Sequence, residues 1–87
     1  MKIKKGYNFR TIAGEKIVIP LGAESRKNHG IFKLNDAGAK LFELFQKGAE
    51  LEDAVKLLTE NYGVSEDEAK SDVNDFIDLI NQFDMFE

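Results

Sequence analysis

Ile31-Phe32-Lys33-Leu34-Asn35-Asp36-Ala37-Gly38-Ala39-Lys40-Leu41 is the stretch in which the periodicity of the chain changes. Up to Leu34 the pattern is that of a short strand. Beyond it, Ala37, Leu41, Leu44 and Phe45 fall at helical spacing. Asn35 or Asp36 can cap this first helix, and Gly48 supplies its C-terminal stop. Reading backward from the switch, Phe9-Arg10-Thr11-Ile12-Ala13 and Lys16-Ile17-Val18-Ile19-Pro20 are β-prone runs joined by Gly14-Glu15, a connection that suits a tight hairpin. Pro20 lacks an N–H and belongs at a strand end or edge. Residues 21–30 form a polar connection, predicted to be mobile, before Ile31-Phe32-Lys33-Leu34 makes a third strand.

Reading forward, Leu51, Ala54, Val55, Leu58 and Tyr62 give a second helix with one apolar face, closed by Gly63. Its start is less well capped, because Ala49 stands where Ser or Thr is expected. Ser65-Glu66-Asp67-Glu68 is a capping box that opens a third helix, with Ala69, Val73, Phe76, Ile77, Ile80 and Phe83 on one side. The order βββααα predicts a single α+β domain over residues 1–87. A three-stranded antiparallel sheet is followed by three helices that must cover one of its faces. The outline is like a winged helix-turn-helix with the strands placed first.

The chain has 87 residues, and its 12 Lys+Arg and 16 Asp+Glu give a net charge of −4. That total hides a split. Residues 1–34 carry eight basic and two acidic groups, a net of 8 − 2 = +6; residues 35–87 carry four against fourteen, a net of 4 − 14 = −10. With no cysteine, disulfides, iron–sulfur clusters and thiol nucleophiles are excluded, and one histidine cannot build a multi-histidine metal cage. No apolar run approaches the roughly 20 residues of a membrane span, and the first residues lack a signal-peptide core. The expectation is a soluble cytoplasmic protein that binds neither metal nor cofactor.

No catalytic constellation stands out. Nearly all the carboxylates fall on solvent faces of helices, His29 lies in a polar loop beside Asn28 and Gly30, and Arg26-Lys27 has no Gly-rich loop feeding a helix. The chain does not read as an enzyme.

Joined in order, the segments resemble a known family. Tyr7-Asn8-Phe9-Arg10-Thr11-Ile12-Ala13-Gly14-Glu15 precedes the second strand. Then come Phe32-Lys33-Leu34-Asn35-Asp36-Ala37-Gly38-Ala39, Asn61-Tyr62-Gly63-Val64-Ser65 and Asp72-Val73-Asn74-Asp75-Phe76. In this order and spacing they resemble the PqqD-like family, named for coenzyme PQQ synthesis protein D, over residues 7–86. Lys47-Gly48-Ala49-Glu50 departs from the family, which often has Asp-Gly and then a Ser or Thr cap. The charged Glu24-Ser25-Arg26-Lys27 departs from a more neutral turn.

The resemblance implies a non-catalytic precursor-peptide recognition element. Such a module holds the leader of a ribosomally made peptide and presents it to a modifying enzyme, often a radical SAM protein. PQQ itself is not implied. The family mode is strand addition, which places the leader along Ile31, Phe32, Lys33 and Leu34, in the groove between that strand and a helix over residues 66–83. On that helix Asp72, Asp75 and Leu79 fall on the flank of a core face centred on Val73, Phe76 and Ile80, and Phe76 joins the expected site. Leu79 has two readings, a groove wall or a widened core face. Asp72 and Asp75 would favour a basic leader residue, and Lys33 an acidic one. The rival readings are a winged-helix DNA binder and a small assembly subunit, including a homodimer paired through the exposed strand. Glu66, Asp67, Glu68, Asp72, Asp75 and Asp78 against Lys70 alone make the third helix repel a duplex, so no nucleic-acid partner is expected.

Overall fold

The hairpin is made by β1 (Tyr7–Ile12) and β2 (Glu15–Pro20), paired antiparallel from Tyr7↔Pro20 to Ile12↔Glu15. In the computed structural model, which describes residues 1–27 and 30–87, the turn residues are Ala13 and Gly14, with φ of 52° and 80°. The sequence had suggested Gly14-Glu15. A two-residue turn matching the twist of its strands needs positive φ at both positions, so the turn moves one residue earlier and Glu15 pairs with Ile12.

Residues 21–27 hold more structure than predicted. α1 (Glu24–Lys27) is a one-turn helix whose Glu24 carboxylate accepts a hydrogen bond from the Tyr7 hydroxyl at 3.2 Å. The expectation for His29 lies outside the described residues. β3 (Phe32–Leu34) then pairs antiparallel with β2, through Lys16↔Leu34, Ile17↔Lys33 and Val18↔Phe32. Ile31, expected within this strand, lies just before it. The chain bends at Gly30, and Pro20 has no N–H to extend the ladder in that direction.

α2 (Asp36–Lys47) starts where the periodicity changes. The Asn35 side chain caps it by accepting the Gly38 N–H at 2.7 Å. A Cβ on Gly38 would stand 3.0 Å from that Asn35 oxygen and 3.7 Å from Leu34, so glycine lets the cap and the end of β3 close onto the helix. α3 (Leu51–Tyr62) is better capped than expected: Asp53 reaches back to accept the Glu50 N–H at 2.9 Å. The acid at N3 does part of what a Ser or Thr at Ncap would do. α4 (Glu66–Gln82) begins at Ser65, whose hydroxyl accepts the Glu68 N–H at 3.1 Å, as predicted.

The three-stranded sheet and the helices α2, α3 and α4 therefore follow the expected α+β order, with α1 added. Val18 and Tyr7 on the inner face of the sheet meet Phe42 and Phe45 of α2, Leu58 of α3 and Val73, Phe76 and Ile80 of α4 in one core. Phe9 stacks on Phe42, and Phe45 lies nearly parallel to Phe76, each with ring centroids 6.1 Å apart. The two chain ends close it. Ile3 and Met85 are buried, the Lys4 N–H donates to the Met85 carbonyl at 2.8 Å, and the Glu87 N–H donates to the Lys2 carbonyl at 2.8 Å. No helix among the described residues is long and apolar enough to cross a membrane.

Candidate functional site: the β3 edge and its groove

The sheet order β1-β2-β3 gives β3 a strand on one side only. Its backbone groups on the other side have no strand to pair with among the described residues, and such an edge is a template for an added chain. Alternation along the strand sends Phe32 and Leu34 toward the core, where both are half-buried, and leaves Lys33 exposed. The Lys33 ammonium is engaged by the Glu15 carboxylate at 3.3 Å. The charge expected to answer an acidic ligand residue thus already has an exposed, weak ion-pair partner.

α4 runs beside this edge. Phe83, just past its end, meets the Phe32 ring edge-on with centroids 4.7 Å apart. A cleft of about 270 Å³ lies here, walled by Ile31, Phe32, Leu79, Ile80 and Phe83. A second cleft, about 370 Å³, continues past Leu34 to Asp72, Asp75, Phe76 and Leu79. Both include Lys33, Leu34 and Leu79, so they form one groove along β3. All eight residues singled out from the sequence line one cleft or the other. Leu79 is 43% exposed and outside the core, so it does not widen the core face. Ile31 is 59% exposed. Phe83, Ile80 and Met85 also line the apolar cleft, although the sequence offered the first two only as core positions. Phe83 lies one helical turn beyond Leu79, the spacing that could have marked it.

Asp72 and Asp75 are exposed and have no ion-pair partner among the described residues. At the same end of β3, two residues past Leu34, Asp36 opens α2 and accepts hydrogen bonds from the Tyr62 hydroxyl and from Lys40 at 2.9 Å. The Lys40 ammonium also sits 5.7 Å from the centre of the Tyr62 ring. The Tyr62 hydrogen bond, then Lys40, hold the Asp36 carboxyl below its ordinary range; the bond to Asp36 raises Lys40 and Tyr62. This cluster ties the C-terminal end of α3 to the start of α2.

A larger hollow, about 660 Å³, lies between α3 and α4, against Leu51, Val55, Thr59, Val64 and Lys70. Its walls are helix flanks, whose backbone groups are already paired within each helix. It lacks the free strand edge that makes the smaller groove a stronger candidate. No group of three or more metal-ligating side chains occurs among the described residues.

The fold and groove define a small α+β domain that displays an open strand edge beside an apolar, acid-ended cleft. The sequence model of coenzyme PQQ synthesis protein D (PqqD) matches residues 17–82, and the chain belongs to that family. Two solved structures share the fold. TbiB1 in complex with the TbiA(beta) leader peptide superposes with a TM-score of 0.80 at 22% identity, over 100% of this chain and 95% of that one. Lasso peptide synthetase B1 complexed with the leader peptide gives a TM-score of 0.76 at 17% identity, over 97% and 93%. Comparison with curated protein sequences gives no significant match.

Proposed function

We propose that this domain is a non-catalytic recognition module that binds the leader segment of a ribosomally made precursor peptide and presents it to a modifying enzyme. The observation that carries the reading is the unpaired edge of β3 lying against the groove of α4. The leader adds to the sheet as a fourth strand beside β3. Family membership supports this, and both fold neighbours are complexes with leader peptides.

The magnitudes are adequate only when edge and groove act together. Backbone hydrogen bonds contribute about 1 kcal/mol net each, so a strand this short supplies about 3–4 kcal/mol before ordering costs. Micromolar affinity needs about 8 kcal/mol. One or two apolar side chains buried in the groove, at about 1.5–3 kcal/mol each, supply most of the remainder. The eight residues Ile31, Phe32, Lys33, Leu34, Asp72, Asp75, Phe76 and Leu79 form the proposed contact surface. The modifying enzyme is proposed to be of the radical SAM type.

The test is a titration of the isotope-labelled domain with a leader segment encoded beside its gene. Amide shifts should concentrate at residues 31–34 and along the groove side of α4. Binding that leaves β3 unperturbed overturns strand addition. A second reading is an assembly role, because β1, six residues long, is the other open edge of the sheet and can pair with a second copy. Size-exclusion chromatography across a salt series, run with and without the leader, separates the two: a persistent dimer to which no leader binds favours assembly.

A further inference from the structure

We propose that the occupant of the β3 edge is recognised through an ordered pair of side chains, a Lys or Arg followed two residues later by a large apolar residue. The inference rests on strand addition at β3 and adds the chemistry, order and spacing of what is recognised.

The groove is not uniform along its length. Phe32 stands at its apolar end, against Phe83 and the cleft of about 270 Å³. Leu34 stands at its acidic end, sharing a cleft with Asp72 and Asp75. β3 and α4 therefore run in opposite senses past each other, and the chemistry of the groove changes within the length of one short strand.

A strand paired with β3 turns every second side chain inward, with successive inward residues about 6.8 Å apart. One inward side chain lies beside Phe32 and the next beside Leu34. The first faces Leu79, Ile80 and Phe83, where only an apolar group avoids a desolvation cost. The second faces two exposed carboxylates that have no ion-pair partner among the described residues. Lys33, between these positions in the chain, already pairs with Glu15 at 3.3 Å. A Lys or Arg side chain beside Leu34 has the reach and the charge to meet Asp72 or Asp75; an acidic one is repelled.

The direction follows from the sheet. Both existing pairings are antiparallel, and antiparallel pairs are slightly more stable per residue. An antiparallel occupant passes Leu34 before Phe32, so its basic residue precedes its apolar one. A second residue between them would send one of the two side chains to the opposite face.

Four synthetic peptides in one neutral, extended host sequence test this: Lys-x-Phe, Phe-x-Lys, Glu-x-Phe and Lys-x-x-Phe. Affinity is read by calorimetry and the binding position from the amides of Phe32, Lys33 and Leu34. Lys-x-Phe should bind tightest, about fivefold over Glu-x-Phe at low salt, and the margin should collapse in the D72N/D75N double variant and at high salt. Both aspartates are exposed, so that variant keeps the fold. If the peptides perturb β3 with equal affinity, the ordered-pair inference fails while strand addition stands. Tightest binding by Phe-x-Lys overturns the direction, and by Lys-x-x-Phe the spacing. If none perturbs β3, strand addition itself fails and the inference falls with it.

Discussion

Ala13 holds a φ of 52° in the β1–β2 turn, a left-handed conformation that costs an L-residue about 1–2 kcal/mol and that Asn or Gly adopts more easily. Its side chain is exposed, so nothing packs to offset the strain. Ala13→Asn should therefore stabilise the domain by about 0.5–1 kcal/mol in denaturant unfolding, and Ala13→Val should destabilise it. A second residue-scale device is the Tyr62–Asp36–Lys40 cluster. A lowered carboxyl such as Asp36 stabilises the fold above its unfolded pKa, and the contribution fades as pH falls through its folded pKa. Lys40 and Tyr62 are raised, so their shares are full below their unfolded values and fade as pH rises through the folded ones. The melting-temperature gap between wild type and Tyr62→Phe should be constant from about pH 5 to 9 and narrow at both extremes. A gap that does not change in acid would show that the hydrogen bond to Asp36 contributes nothing.

At the scale of elements, the junction of β3 and α2 concentrates the most structure in the fewest residues. Asn35→Ala removes the cap on Gly38 and should cost about 1 kcal/mol, with slower-exchanging amides in the first turn of α2 losing protection. This junction was legible in the sequence because its causes are local: a change of period, a cap and its glycine all lie within a few residues. Ser65 and α4 were legible for the same reason. α1 was not, since Glu24-Ser25-Arg26-Lys27 has no apolar period and is held from outside by the Tyr7 hydroxyl and the close pass of Gly6. The cap of α3 was missed because Asp53 acts from inside the helix, where a search for Ser or Thr does not look. The groove was half legible. Leu79 fell on the flank of α4 by spacing alone, but only packing shows that it stays outside the core, and only the return of the chain end brings Phe83 and Met85 to the same cleft.

Across the whole molecule, stability depends on residues far apart in the chain. A domain of this size retains about 5–10 kcal/mol, so one well-buried contact is a large share of it. Ile3 is 2% exposed and its N–H donates to the Phe45 carbonyl at 2.9 Å; Ile3→Ala should cost about 2–4 kcal/mol by chemical denaturation. Met85, equally buried, supports the apolar cleft from below, so Met85→Ala should weaken both the fold and the binding of an apolar ligand residue. The same closure has another consequence. The backbones of Lys2 and Glu87 are hydrogen-bonded, so a few linking residues could join the ends, while the turn residues Ala13 and Gly14 are exposed. A circular permutant that begins at Gly14 and ends at Ala13 would carry β1 as its last element and still form the same sheet, with β3 free at its edge.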